Sequence, residues 1–65
     1  MTKKDYIKFA KTLNGQQPVK SDLETIDGFK MRVRQFNQIV TSIINVFSED
    51  NTSFDSQRFK IAVYS

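Results

Sequence analysis

One stretch of the chain, residues 26–47, carries large apolar side chains at alternating spacings of three and four residues. Its members are Ile26, Phe29, Val33, Phe36, Val40, Ile43 and Phe47. This heptad spacing places them on one side of an α-helix and is typical of a long amphipathic helix. The rest of the 65-residue chain is then expected to pack against this heptad stripe.

A first helix is predicted over residues 3–13. Thr2 and Asp5 have the spacing of an N-terminal capping box, in which side chains and backbone amides satisfy one another. An apolar face at helical spacing follows, formed by Tyr6, Phe9, Ala10 and Leu13. Asn14-Gly15 then provides a residue suited to the left-handed conformation that commonly ends a helix.

The central helix is predicted over residues 22–48. Ser21 and Glu24 form a second capping-box pattern at its start. Gly28 weakens the prediction, because glycine inside a helix costs about 1 kcal/mol relative to alanine. A kink at Gly28, or a later start at Asp27, is therefore an alternative.

A short third helix is predicted over residues 56–63. Asp55 is suited to cap it, and Phe54 can pack on Phe59 as a hydrophobic staple. The predicted fold is all-α and forms one small domain over residues 1–65. It consists of two antiparallel helices of unequal length and a short C-terminal helix.

The composition argues against catalysis and against a structural metal. The chain has no Cys and no His, so it lacks thiolate ligands, disulfides and the commonest general base. Asp22, Glu24 and Asp27 lie where the positive end of a helix favours acidic residues, which explains them without a bound cation. We predict no enzymatic activity, no cofactor and no metal site, and no segment apolar enough to span a membrane.

The net charge of +3 permits contact with nucleic acid without requiring it. Basic residues occur in two groups, one on the first helix and one on the central helix: Lys4, Lys8, Lys11, Lys30, Arg32 and Arg34. If they converge on one surface, they could neutralise phosphates. A small nucleic-acid-binding protein is therefore the alternative function, although solvated helix faces are the commoner meaning of such residues.

Residues 35–48 contain no charged side chain, which is unusual for a solvated helix in so small a protein. The apolar residues Ile39, Ile44 and Val46 lie outside the heptad stripe, and Gln38 and Asn45 lie on a polar but neutral face. We expect these five residues to contact a partner protein or a second copy of the chain. The alternative is that the C-terminal helix folds back over the apolar ones.

Both ends of the chain carry short motifs. Lys4-Asp5-Tyr6 is followed by Phe9-Ala10, and Asn51 is followed by Phe54-Asp55 and Arg58-Phe59. In order and spacing the chain resembles small phage-encoded accessory proteins, which have a K-D-Y-x-x-[ILF]-A opening, a central helix and a closing N-x-x-F-D-x-x-[RK]-F. Members of that family often end in small residues and a Cys, whereas this chain ends Ile61-Ala62-Val63-Tyr64-Ser65.

The resemblance implies a viral accessory protein in the cytoplasm of a bacterial host, and it transfers no catalytic residue. We therefore expect a non-enzymatic protein that binds and modulates a host or phage protein through a helical face. Inhibition by occlusion is the simplest form of such modulation.

Overall fold

The computed structural model describes residues 2–65 and confirms the all-α fold. Three helices occur in the order α1 (Lys3–Gly15), α2 (Ile26–Asp50) and α3 (Ser56–Tyr64), and no strand occurs in the described part of the chain. Each helix ends one or two residues later than predicted.

The N-terminus of α1 forms as predicted, but its C-terminus does not. The Thr2 backbone N–H donates to the Asp5 carboxylate at 3.0 Å, which holds the pKa of Asp5 below its ordinary value. The predicted left-handed stop at Asn14-Gly15 is wrong, because no glycine in residues 2–65 has positive φ. The helix includes Gly15, and Gln16 is its C-terminal cap residue.

The predicted start of α2 at residue 22 is also wrong. Ser21 and Glu24 form only a turn, in which the Leu23 N–H donates to the Ser21 hydroxyl at 3.2 Å. The Glu24 carboxylate accepts the Ser21 N–H at 3.5 Å, and it also accepts two hydrogen bonds from Arg32, at 2.6 and 2.8 Å. Residues eight apart in one continuous helix lie about 12 Å apart along its axis, so this pair requires the chain to turn back before the helix begins.

The observed cap of α2 is Thr25, whose hydroxyl accepts the Gly28 N–H at 3.0 Å. Gly28 therefore lies in the first helical turn and not in the helix interior. A β-carbon at this position would lie 3.1 Å from the Thr25 hydroxyl oxygen, which is tight. Glycine here leaves room for the cap.

Contacts along the helices give their directions. At one end, the rings of Tyr6 and Phe47 lie 4.9 Å apart. At the other, the Asn14 amide donates to the Val63 carbonyl at 2.9 Å, and the Tyr64 hydroxyl donates to Asn37 at 2.6 Å. Thus α1 and α3 run parallel to each other and antiparallel to α2, and α3 lies alongside the other two helices.

The core lies between α1, α3 and the C-terminal half of α2. Its buried residues are Tyr6, Ala10, Phe36, Val40, Ile44, Phe47, Phe59 and Val63. The predicted burial of Phe36 and Val40 is therefore confirmed. Phe47 is the centre of this core, with its ring within 5.5 Å of four other aromatic rings.

The N-terminal half of the heptad stripe is not part of this core. Because α1 and α3 end near the level of Asn37, they leave α2 uncovered towards its start. Ile26 is 62% exposed, and Phe29 and Val33 are half-buried without packing against the core. The expectation that the rest of the chain covers the whole stripe is wrong for these three residues.

Candidate protein-binding surface on the central helix

The two most exposed apolar residues in the uncharged part of α2 lie on one side of the helix. Ile39 is 53% exposed and Val46 is 59% exposed, and residues seven apart share a helix side. Ile43 lies between them, half-buried against the core. We refer to Ile39, Ile43 and Val46 as the α2 ridge.

The structure separates the five residues predicted to form a contact surface. Ile44 is only 7% exposed and belongs to the core, so its assignment to a surface is wrong. The C-terminal helix α3 does fold back along α2, with Phe59 on Phe47 and Tyr64 on Phe36. The alternative, in which it covers the apolar flanking residues, does not hold for Ile39 and Val46, which stay exposed. Gln38 and Asn45 are exposed, about 100° around the helix from Ile39 and Val46 respectively.

The side of α2 that faces away from solvent packs in the core. Val40, Ile44 and Phe47 are buried, so this part of α2 is fixed against α1 and α3. No residue between 35 and 48 is charged, and the nearest acidic residues, Glu49 and Asp50, lie one turn beyond Val46. A partner covering Ile39 and Ile43 would therefore not need to desolvate a charge of this segment, and a charge is the most expensive group to remove from water.

Gln38 instead lies along a shallow groove on another side of α2. The groove is lined by Lys30, Val33, Arg34, Asn37, Gln38, Thr41 and Ser42. Six of its seven lining residues have polar or charged side chains, and all seven belong to α2. The polar and apolar parts of the predicted surface thus face different directions.

The basic residues at the start of α1 lie far from those on the N-terminal half of α2. Tyr6, between Lys4 and Lys8, packs on Phe47, whereas Lys30 lies about 25 Å from Phe47 along the α2 axis. Lys11 lies further along α1, and Arg34 lies in the groove with Lys30. Arg32 is held by Glu24 and by the Val19 carbonyl at 2.8 Å, so its assignment to phosphate binding is not favoured.

The Glu24–Arg32 pair connects the segment 16–25 to α2. Hydrogen bonding from Arg32 lowers the pKa of the Glu24 carboxyl, and the same bond raises the pKa of the guanidinium. Sequence reasoning missed this pair because both residues were assigned to one continuous helix. The opposite charges of Glu24 and Arg32 were the sequence feature that could have indicated this ion pair.

An apolar pocket of about 520 Å³ opens where α1 and α3 meet the connection between α2 and α3. Its apolar wall consists of Tyr6, Ile7, Ala10, Phe54, Phe59 and Ala62, and its rim includes Lys3, Asp55 and Arg58. Residues from both end motifs therefore line one pocket. Sequence reasoning missed it because it assigned these aromatic residues to the core alone.

No protein-family model, curated protein or solved structure matches the chain. Within residues 2–65, no helix is long and apolar enough to cross a membrane. The same part of the chain contains no group of three or more Asp or Glu residues placed to hold a metal ion.

Proposed function

We propose that this protein is a non-enzymatic phage accessory protein that binds a host or phage protein through the α2 ridge and inhibits it. The observation that carries the proposal is the exposure of Ile39 and Val46 in a helix segment without charges. Isolated exposed apolar residues are common, but two aligned ones in a segment of fourteen uncharged residues favour a contact. The resemblance of the end motifs supports a phage origin and action in a bacterial cytoplasm.

The proposed mechanism is occlusion. Ile39 and Val46 would enter an apolar groove of the partner, in the way that amphipathic helices dock in grooves. The core already fixes the α2 backbone behind the ridge, so little conformational entropy would be lost on binding. The bound helix would then exclude a substrate or another protein from the same groove.

The test compares capture of proteins from a bacterial lysate by three tagged variants. Ile39→Lys and Val46→Lys each place a charge on the ridge. Ile61→Lys is the matched control, because Ile61 is 68% exposed on α3 and lies outside the ridge. We expect the ridge variants to fail to capture a partner that the parent and Ile61→Lys capture. The same loss of binding should be measured when the partner is purified.

Circular dichroism separates lost binding from lost folding. All three positions are exposed, so each variant should remain helical. A partner that binds both ridge variants as well as the parent would overturn the proposal. Nuclease treatment and added salt test the alternative function, since binding to phosphates weakens steeply with salt and binding to an apolar groove does not.

A further inference from the structure

The apolar pocket between α1 and α3 has no part in the proposed function. Most of its lining residues belong to the two end motifs of the chain, among them Tyr6 and Ala10 at one end and Phe54, Arg58 and Phe59 at the other. Its volume, about 520 Å³, is within the range of about 300–1,000 Å³ that is typical of small-molecule sites. We refer to it as the end pocket.

The wall of the end pocket combines large aromatic and small aliphatic side chains. The Tyr6 and Phe54 rings lie 4.8 Å apart and the Phe54 and Phe59 rings 5.5 Å apart, so these rings hold one another in place. Ala10 from α1 and Ala62 from α3 also line the pocket, and their methyl groups leave space between the two helices. The apolar wall is therefore formed without a ligand, as is usual for small-molecule sites.

The rim of the end pocket favours a negatively charged group. Lys3 and Arg58 are exposed on it, and neither forms an ion pair within residues 2–65. The rim has one acidic residue, Asp55, whose carboxylate accepts the Arg58 backbone N–H at 3.1 Å and so caps α3. The first turn of α3, which borders the pocket, also carries the partial positive charge of a helix N-terminus.

We propose that the end pocket binds a small carboxylate with an apolar chain. The chain lies against the aromatic and alanine side chains, and the carboxylate meets Lys3 and Arg58 on the rim. Burial of the chain supplies most of the affinity, and the two cations select a carboxylate over a neutral or positive head group. The end pocket is separate from the α2 ridge, so this site is independent of the proposed function.

Titration with three probes of equal chain length, octanoate, octanol and octylammonium, tests the site. Amide chemical shifts measured by NMR give both the affinity and the location of binding. Octanoate should shift amides of both end motifs with a dissociation constant of about 1 mM or lower. Octanol should bind about threefold to tenfold more weakly, since exposed ion pairs contribute modestly, and octylammonium more weakly still.

Two pairs of variants on α3 separate the rim from the wall. Arg58→Gln should remove most of the preference for octanoate over octanol, whereas Lys60→Gln, which removes the same charge outside the pocket, should retain it. Ala62→Leu should weaken octanoate binding by about tenfold or more, because the added side chain occupies the space of the ligand. Gln57→Leu is its matched control, since Gln57 does not line the pocket.

Several outcomes would overturn the proposal. One is the absence of shifts in the end motifs at about 10 mM octanoate, well above the expected dissociation constant. Another is octanol binding as tightly as octanoate, which would indicate a purely apolar pocket, as for the side chain of a partner protein. Equal effects of Arg58→Gln and Lys60→Gln, or of Ala62→Leu and Gln57→Leu, would likewise place binding elsewhere.

Folding and the proposed function are controlled separately. All four substituted positions are exposed, so each variant should keep the amide spectrum of the folded protein. If Ala62→Leu does not fold, the comparison of Arg58→Gln with Lys60→Gln decides the question alone. Ile39→Lys on the α2 ridge should bind octanoate as the parent does, so failure of the ridge and failure of the end pocket are distinguishable.

Discussion

The two halves of α2 carry the same heptad pattern but have different surroundings. In the C-terminal half, Phe36, Val40 and Phe47 are buried beneath α1 and α3. In the N-terminal half, Ile26 is exposed and Phe29 and Val33 are half-buried. There the Glu24–Arg32 pair and the Val19 carbonyl connect the segment 16–25 to α2.

The difference arises from helix length. At about 1.5 Å per residue, α2 is about 37 Å long, whereas α1 and α3 are about 20 and 14 Å long. Neither short helix can reach the whole of α2, whatever the pattern on its surface. The spacing of apolar residues thus predicts which side of a helix avoids water, and the lengths of the neighbouring helices determine how much of that side is covered within one chain.

Phe36→Ala and Phe29→Ala compare the two halves directly, because the two residues occupy the same heptad position. Removing the buried Phe36 ring should cost about 3–5 kcal/mol, which is comparable to the whole stability expected of so small a domain. Removing the half-buried Phe29 ring should cost the monomer about 1 kcal/mol or less. Thermal and urea unfolding at low micromolar concentration measure both effects.

Val40→Ala is a control for the size of the lost group, because Val40 is buried beside Phe36 in the same half. It should cost more than Val33→Ala. If Phe36→Ala melts within a few degrees of the parent, or Phe29→Ala destabilises the monomer equally, the two halves do not differ as described.

Much of the fold could be predicted because its signals are local. The caps at Thr2 and Asp55 and the periodicity of α1, α2 and α3 depend on neighbouring residues. The predicted Phe54–Phe59 contact is also confirmed, with ring centroids 5.5 Å apart. The start of α2 could not be predicted, because it depends on Glu24 bonding to Arg32 across a turn.

The candidate site was predicted only in part. Ile39 and Val46 could be placed outside the core because they flank the heptad stripe, whereas the same argument misplaced Ile44. Ile44 lies about 60° around the helix from the stripe centre, and only the position of α3 decides whether such a flanking residue is covered. That Ile26, Phe29 and Val33 are not covered by a helix could not be predicted for the same reason, because it depends on where α1 and α3 end.

Asp55→Ala tests how firmly α3 covers the C-terminal half of α2. The Asp55 carboxylate accepts the Arg58 backbone N–H at 3.1 Å, as predicted for the cap. Its loss should destabilise the protein by about 1 kcal/mol and speed amide hydrogen exchange across residues 56–63. Asp55→Asn retains a capping oxygen and should have a smaller effect, and unchanged exchange in Asp55→Ala would show that the cap does not hold α3.

Tyr6→Phe should act in the opposite direction. The Tyr6 hydroxyl is buried without a hydrogen-bond partner, while its ring packs against Phe47 and Phe54. Phenylalanine keeps the ring contacts and removes the unsatisfied group, so stability should rise by up to about 1 kcal/mol. A loss of stability on thermal unfolding would show that the hydroxyl has a partner in solution, such as a bound water.

The smallest expected effect concerns the ion pair at the uncovered half. Since the folded-state pKa of Glu24 is lowered from its ordinary value of 4.5, the pair stabilises the segment above that pH and is lost as the pH falls through the lowered pKa. Amide exchange of residues 19–25 should therefore quicken on acidification, after correction for the intrinsic pH dependence of exchange. Asp5 has a lowered pKa as well, so the local exchange rates, and not the overall melting temperature, are the measurement that identifies Glu24.

The Glu24→Gln variant is the control: its amides in residues 19–25 should exchange faster at neutral pH and show no such acid transition. If the parent and Glu24→Gln respond alike to acid, the Glu24–Arg32 pair does not hold this segment against α2.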